Sequence, residues 1–111
     1  MDSVTIVIPV YNEEIFISDC LKSVLALKIP SGLDYEIWVL DGGSSDDTVS
    51  IIRNHQAKGN KVTLIHNPGK TQSHAMNLAV SKSNSSWIMR LDGHSIYPAD
   101  YLVNLYTTAL E

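Results

Sequence analysis

Short apolar runs rich in β-branched residues alternate along this chain with segments that have the spacing of amphipathic helices. A run of about four to eight apolar residues between turn signals predicts a buried strand. We predict such strands at residues 4–10, 35–40, 62–66 and 87–91. Strands that alternate with helices form a mostly parallel sheet with helices on both faces, so the sequence predicts an α/β fold.

The segments between the predicted strands carry apolar residues on one helical face. In the first of these segments they are Ile17, Cys20, Leu21, Val24 and Leu25. Asn12 is placed to cap this first helix. We predict a second helix capped by Ser45 or Asp46, a third at about residues 71–81, and a fourth that starts at Pro98.

Composition limits the partners and the location of the chain. Its net charge is −4 and it has no basic run, so binding to nucleic acid is disfavoured. The single cysteine, Cys20, has no internal disulfide partner, and the N-terminus lacks a secretory signal, so we expect a cytoplasmic protein. The last helical pattern reaches Glu111 without a stop signal. We therefore expect residues 1–111 to be a single domain that is truncated at its C-terminus.

Polar residues follow the last predicted strand directly, in the order Asp92-Gly93-His94. In extended backbone, residues i and i+2 point to the same side, so Asp92 and His94 are predicted to converge. Gly93 leaves room for a ligand close to the backbone. A carboxylate and an imidazole at this place predict a divalent-cation site. Taken alone, the three residues are equally typical of a turn cap and a surface histidine.

Polar groups also follow the first two predicted strands: Tyr11 and Glu13 after the first, and Asp41 after the second. The carboxyl ends of parallel strands share one edge, which is where open α/β sheets bind ligands. Tyr11 can stack on a base, a carboxylate can accept from a base or a ribose, and a cation at Asp92 can bridge phosphates. Together these groups predict a nucleotide-diphosphate site. Taken singly, Glu13 is typical of a helix N-terminus and Asp41 of a turn.

The usual glycine-rich phosphate loops are absent from the sequence, which contains neither G-x-x-x-x-G-K-[ST] nor G-x-G-x-x-G. The charge of bound phosphates must therefore be met by the cation, with Lys70 or Arg90 as additional positive groups.

Three segments resemble the N-terminal half of family 2 glycosyltransferases, which have the GT-A fold. Residues 6–14, IVIPVYNEE, are similar to that family's opening strand and loop nearly letter for letter. Residues 40–48, LDGGSSDDT, resemble its V-D-D-G-S-x-D-x-T turn, and residues 92–94 stand where the family has its metal-binding D-x-D. Residues 67–73, NPGKTQS, together with the segment from Arg90 to Pro98, are most similar to glucosyltransferases of succinoglycan biosynthesis.

The resemblance implies a Rossmann-like half-domain that binds a nucleotide-diphospho-sugar. The reaction implied is transfer of the sugar to an acceptor hydroxyl in polysaccharide or glycolipid biosynthesis, with inversion. By match to the motifs, Pro9, Tyr11 and Glu13 line the nucleoside pocket and Asp41 lies near the base. Asp92, with His94, holds Mg²⁺ or Mn²⁺ on the diphosphate.

The resemblance also implies that Gln72, Ser73 and Asn77 face the donor, without assigning a role to any of them.

Two departures from the family pattern change the expected specificity. Gly42 stands where the family commonly has a second Asp that often reads the base, so the motif leaves the base of the donor open. His94 replaces the second carboxylate of the metal motif. Imidazole suits transition metals, whereas Mg²⁺ prefers oxygen ligands, so we predict a preference for Mn²⁺ over Mg²⁺.

Family members carry their general base well beyond residue 111, so the resemblance implies no catalytic residue in this chain. Asp100 and Glu111 are typical of solvated helix surface. Because an inverting displacement needs a base for the acceptor hydroxyl, we expect this chain to bind the donor without turnover. The acceptor, a saccharide or a lipid-linked saccharide, is expected to bind through the remaining half. The full-length protein is then expected at the cytoplasmic face of the membrane.

The sheet edge against which the remaining half would pack is expected to promote self-association of the fragment.

Other functions remain open on the sequence. The chain can also be a non-enzymatic α/β module, flavodoxin-like or receiver-like, that binds a nucleotide or a protein partner. A receiver-like domain needs a Lys at a late strand end, and no Lys stands there. A nucleotidyltransferase usually has a glycine-rich signature after the first strand, where this chain has Tyr-Asn-Glu-Glu. Metal-dependent binding of a nucleoside diphosphate separates the transferase from the module.

Overall fold

The computed structural model of the chain describes residues 2–110. Four strands alternate with four helices. The strands are β1 (Ser3–Val10), β2 (Asp34–Asp41), β3 (Thr63–His66) and β4 (Trp87–Arg90). The helices are α1 (Ile17–Leu25), α2 (Thr48–Ala57), α3 (Gln72–Lys82) and α4 (Tyr101–Leu110).

The strands form one sheet in the order β3-β2-β1-β4, and every neighbouring pair is parallel. The register places Val10 beside Asp41 and Asp41 beside His66. On the other side of β1, Val7 lies beside Arg90. The prediction of a mostly parallel α/β fold is confirmed, and the carboxyl ends of β1, β2 and β3 lie in a row.

Each face of the sheet has its own core, as expected for strands whose side chains alternate between two covered faces. On one face, Ile6 and Ile8 of β1 are fully buried with residues of α1, α2 and α4. Full burial of a side chain of this size stabilises the fold by roughly 1.5–3 kcal/mol. On the other face, Val7 and Leu40 pack against Ala75 of α3. The prediction of helices on both faces is therefore confirmed.

The predicted element boundaries agree with the structure to within a few residues. One difference is at α4, which begins at Tyr101 rather than at Pro98, after a turn in which the Tyr101 N–H donates to the Pro98 carbonyl. Among residues 2–110, no helix combines the length and the apolar character needed to cross a bilayer.

The prediction that Asn12 caps α1 is wrong. The helix begins at Ile17, and the residue before it, Phe16, makes no side-chain capping bond. Asn12 has a left-handed backbone with φ of 50°, which turns it away from the helix, and its Oδ1 accepts from the Ser45 N–H at 2.8 Å. A short amide side chain tolerates this conformation better than most residues, so Asn12 serves the loop rather than the helix.

Candidate functional site

The carboxyl ends of the first three strands are joined at the backbone. The Gly42 N–H donates to the Val10 carbonyl at 3.0 Å, and the Asn67 N–H donates to the Asp41 carbonyl at 2.8 Å. The loops that follow these strands therefore start side by side, as the sequence predicted from parallel pairing.

The loop after β1 and the loop after β2 hold each other through side-chain hydrogen bonds to backbone groups. The Asn12 N–H donates to Ser44 Oγ at 2.9 Å, and the Glu13 N–H donates to Thr48 Oγ1 at 2.8 Å. The Glu14 N–H donates to Asp46 Oδ2 at 3.2 Å. These contacts, which we call the loop clasp, fix the backbone on which Tyr11 and Glu13 stand.

Asp46 connects the loop clasp to α2. Its Oδ1 accepts from both the backbone N–H and the hydroxyl of Thr48. Desolvation acts to raise the pKa of Asp46, but the hydrogen bonds from Thr48 and Glu14 outweigh it and lower the pKa below its usual value. The carboxylate thus stays ionised at neutral pH and keeps the start of α2 tied to the loop after β1.

A cavity of about 80 Å³ opens at the carboxyl end of β1, on the face that α3 covers. Three predicted site residues, Pro9, Tyr11 and Glu13, line it together. Tyr11 is 54% exposed, so its ring is free to contact a ligand. The opposite wall is formed by the start of α3 and the segment before it, with the lining residues Asn67, Lys70, Thr71 and Gln72.

Asp41 does not line this cavity. Its carboxylate is buried and accepts from the Gly43 N–H at 3.1 Å, the Ser44 N–H at 3.1 Å and the Ser44 hydroxyl. Asp41 pairs in register with Val10, whose side chain belongs to the core beneath α1, whereas the cavity lies on the face of Leu40 and α3. Asp41 thus shapes the turn after β2, and its contact with a base stays a prediction.

Asp92 and His94 lie beyond the end of β4, next to the loop after β1. The segment is not extended as the sequence argument assumed, because β4 ends at Arg90 and residues 93–94 form a turn. His94 Nδ1 lies 3.5 Å from Glu13 Oε1, and Asp92 Oδ1 lies 3.7 Å from a guanidinium nitrogen of Arg90. Glu13 therefore links the cavity to this turn.

Gly93 faces protein rather than an open ligand space. A Cβ added at Gly93 would lie 2.8 Å from Val10 Cγ1 and 3.7 Å from Glu13 Cγ. The prediction that Gly93 leaves room for a ligand is wrong for this side of the residue. The glycine instead lets the turn pack closely against β1.

Side chains from α1 and from the segment before α4 hold the backbone of Asp92. The Asp92 N–H donates to the Tyr97 hydroxyl at 2.7 Å, and the Cys20 thiol donates to the Asp92 carbonyl at 3.3 Å. Burial raises the pKa of the Cys20 thiol to about 11, so the thiol keeps the proton that it donates. Ser23 accepts from the Tyr97 N–H at 3.0 Å and completes the support.

Two positive side chains flank the cavity. Lys70 lines it and has a left-handed backbone with φ of 65°. Arg90 donates to Gln72 Oε1, which also lines the cavity, and lies next to Asp92. Both residues proposed from the sequence to meet phosphate charge are therefore at the site.

The donor set suits a cation that is shared with a ligand. Within the part of the chain that the structure describes, no three His, Cys, Asp or Glu side chains are grouped closely enough to form a complete metal cage. Asp92 and His94 have side chains that are 39% and 53% exposed, so both can reach a cation. A divalent cation bound through one or two protein ligands takes its remaining ligands from substrate phosphates.

The sequence assigned no role to Asn67, which begins the segment NPGKTQS. The residue is 2% exposed and lines the cavity, and its Oδ1 has no hydrogen-bond partner among residues 2–110. The Asn-Pro-Gly sequence gave no signal of this, because turn chemistry explains all three residues. Ser73 and Asn77 do not line the cavity and are exposed on α3.

Comparison with known proteins gives relatives over nearly the whole chain. The succinoglycan biosynthesis protein ExoA of Rhizobium meliloti is 35% identical over 107 residues, which cover 95% of this chain and 32% of that protein. A dolichyl N-acetyl-α-D-glucosaminyl phosphate 3-β-D-2,3-diacetamido-2,3-dideoxy-β-D-glucuronosyltransferase of Methanococcus voltae is 30% identical, covering 94% of this chain and 33% of that protein. The chain thus spans about a third of the length of these relatives.

Solved structures share the fold. The mannosyltransferase PcManGT of Pyrobaculum calidifontis, in complex with GDP-Man and Mn²⁺, superposes with a TM-score of 0.87 at 25% identity, covering 97% of this chain and 32% of that one. TarS of S. aureus in complex with UDP-GlcNAc superposes with a TM-score of 0.78 at 20% identity, covering 96% and 30%. A sequence model described as "Glycosyl transferase family 2" matches residues 5–111. The chain, with its GT-A fold, therefore belongs to glycosyl transferase family 2.

Proposed function

We propose that this chain is the donor-binding part of a glycosyltransferase that moves a sugar from a nucleotide-diphosphate donor to an acceptor hydroxyl. The observation that carries the proposal is the cavity shared by Pro9, Tyr11 and Glu13, with Glu13 3.5 Å from His94. An exposed aromatic ring and a candidate cation site at the carboxyl edge of a parallel sheet suit a nucleoside with a charged diphosphate. The activities of the relatives support a role in polysaccharide or glycolipid biosynthesis.

In this proposal the nucleoside occupies the cavity. Tyr11 and Pro9 contact the base, Glu13 accepts from a hydroxyl or N–H of the nucleoside, and Asp41 supports the adjoining turn.

Asp92 and His94 face the diphosphate. Lys70 and Arg90 offset its charge, and Tyr97 and Cys20 hold Asp92 in place.

We propose that Asp92 and His94 hold a divalent cation, with Mn²⁺ preferred over Mg²⁺ because one ligand is imidazole. The presence of Mn²⁺ in the PcManGT complex supports a divalent cation in this proposal. When bound, the cation supplies neutralisation of the negative charge on the departing nucleoside diphosphate.

We further propose that residues 1–111 contribute the donor site alone. The relatives are about three times as long, which leaves the acceptor site and the general base to the part of them that this chain does not match. Transfer with inversion, and acceptors that are saccharides or lipid-linked saccharides, belong to the same proposal. A cytoplasmic location is supported by the single buried cysteine, which is free.

Titration of the chain with UDP and GDP, with and without Mn²⁺, tests the proposal. We expect one of the two to bind in a metal-dependent manner and Mg²⁺ to support weaker binding than Mn²⁺. Mutation of a residue that only supports a metal ligand typically weakens metal binding by about tenfold or more. His94→Ala removes a proposed ligand itself, so it should weaken the Mn²⁺-dependent binding at least about tenfold. Isothermal titration calorimetry measures each affinity.

The exposed His66, at the end of β3, supplies the matched control, because His66→Ala removes an imidazole outside the proposed site. If neither nucleotide binds with Mn²⁺, the chain is better described as a partner-binding α/β module. Equal affinity with both metals and in His94→Ala would remove His94 from the site.

A further inference from the structure

Asn67, which lines the cavity beside Tyr11, carries a buried polar atom whose hydrogen-bonding capacity is unused. Asn67 is 2% exposed, and its Oδ1 has no partner among the described residues. A buried acceptor without a partner is rare in folded proteins, since it has given up its bond to water. Such an atom on a residue that lines a cavity points to a ligand that brings a donor.

The other polar groups of Asn67 are all engaged. Its N–H donates to the Asp41 carbonyl at 2.8 Å, and its carbonyl accepts from the Lys70 N–H at 3.2 Å. Its Nδ2 donates to the Thr71 carbonyl at 3.0 Å. This last bond fixes the orientation of the amide, so the oxygen rather than the nitrogen is the free group. Asn67 is thus a rigidly held neutral acceptor.

Position 42 contributes no competing side chain at this place. Gly42 is buried, and a Cβ added to it would lie 3.1 Å from the Lys70 carbonyl oxygen. The backbone of Lys70 therefore fills the space that a side chain at position 42 would need. A polar group that reads a ligand on this wall must come from the segment that starts with Asn67.

The size and lining of the cavity favour one part of a donor. Its volume of about 80 Å³ is well below the roughly 300–1,000 Å³ of a pocket that encloses a whole ligand. An exposed Tyr11 ring and Pro9 offer flat apolar contact, which suits a planar base. An acceptor oxygen would repel a phosphate, so the group that meets Asn67 must carry an N–H or O–H.

We propose that Asn67 is a specificity-determining residue, whose Oδ1 accepts a hydrogen bond from the ring N–H on the Watson–Crick edge of the donor's base. Uracil at N3 and guanine at N1 carry this proton, whereas the corresponding nitrogens of cytosine and adenine do not. The site then selects UDP- or GDP-linked sugars over CDP- or ADP-linked ones. This inference rests on the proposed function, because it requires a nucleoside in the cavity.

The test compares nucleotides that differ only in whether that ring nitrogen carries a proton or a methyl group, with Mn²⁺ present. Whichever of UDP and GDP binds is compared with its N3-methyl or N1-methyl analogue by calorimetry. One net hydrogen bond corresponds to about a threefold to tenfold change in affinity. We expect wild type to bind the methylated analogue at least about threefold more weakly and Asn67→Ala to lose this discrimination. Inorganic diphosphate with Mn²⁺, which has no base, should bind both proteins equally.

Asn67→Asp separates reading of the base from support of the loop. The variant keeps an acceptor for the base but cannot donate to the Thr71 carbonyl. If Asn67 reads the base, Asn67→Asp keeps the discrimination. If Asn67 only supports the loop, Asn67→Asp behaves like Asn67→Ala and the inference is overturned. Asn84→Ala, at an exposed asparagine in the segment before β4, is the matched control and should behave as wild type.

The outcomes separate this inference from the function on which it rests. Binding of UDP or GDP with equal affinity for the methylated analogue overturns the role of Asn67 and leaves the donor site standing. Loss of affinity for the 2′-deoxy nucleotide, without loss for the methylated base, would assign Oδ1 to the ribose and likewise overturn the inference. Failure of wild type to bind any nucleoside diphosphate rejects the proposed function itself.

Discussion

Gly93 allows the turn that carries Asp92 and His94 to pack closely against the sheet, because glycine has no side chain. A Cβ at this position would lie 2.8 Å from Cγ1 of Val10, a buried and β-branched side chain with little freedom to move. We predict that Gly93→Ala lowers the free energy of unfolding by about 1–3 kcal/mol, the usual cost of overpacking a core. Urea unfolding followed by circular dichroism measures the change.

Gly69 provides the matched control for this substitution. The three atoms nearest to a Cβ at Gly69 all belong to the ring of His74, an exposed side chain that can rotate away. Gly69 is not among the glycines with positive φ, so alanine fits its backbone. Gly69→Ala should change the free energy of unfolding by no more than about 0.5 kcal/mol. Equal stability of the two variants would show that Gly93 is not required by packing.

At the level of single residues, the sequence predicted which side chains stand at the strand ends but not which way each one faces. Pro9, Tyr11 and Glu13 share a cavity at one edge, and their contact with a nucleoside stays a prediction. Asp41 stands at the same edge, but its register with Val10 turns its carboxylate to the other face. Register depends on pairing between distant segments, which the local pattern of one strand does not contain.

The α1 and α2 helices meet at a buried histidine. His55 of α2 is 7% exposed, its Nε2 lies 3.1 Å from Ser18 Oγ of α1, and its Nδ1 has no partner among the described residues. Burial lowers the pKa of His55 below its usual value, and the positive charges of Lys58 and Lys22 lower it further. The folded chain therefore holds this imidazole neutral.

This burial predicts a pH dependence of stability. Between the lowered pKa of His55 in the folded state and about 6.5 in the unfolded state, the unfolded chain binds more protons, so stability falls as the pH drops below about 6.5. We predict that His55→Gln reduces the slope of unfolding free energy against pH between about pH 7 and pH 5. Urea unfolding at several pH values gives this slope. The exposed His66 provides the control, and a wild-type slope in His55→Gln would exclude His55 as its source.

The elements themselves were largely predictable, because their apolar periodicity is strong and local. The start of α1 was not predictable, because it depends on contacts between the loops that follow β1 and β2. Asn12 satisfies the Ser45 N–H, which lies 33 residues away, instead of an N–H of its own helix. A capping preference considers only residues that are close in sequence. It therefore does not predict that a hydrogen-bond donor from another loop will compete for the same side chain.

For the whole molecule, the strand order leaves β4 as an edge of the sheet in the described part of the chain. Beside this edge lies an apolar cavity of about 240 Å³ between β4 and α4. Its lining includes Trp87 and Leu105, which are 37% and 44% exposed. An unpaired edge next to exposed apolar surface is a template for pairing with another chain.

We propose that this face promotes self-association of the chain, and that a charge placed on it weakens the association. Leu105→Lys adds an ammonium group to the apolar lining, and a second copy of the chain would have to desolvate this group. The dissociation constant for self-association should therefore rise at least about tenfold. Sedimentation velocity over a series of concentrations measures the change. Val80→Lys is the matched control, because Val80 is 62% exposed on α3, against the other face of the sheet, and should leave association unchanged. A wild-type chain that stays monomeric throughout, or equal association in both variants, would reject the β4 face as the contact.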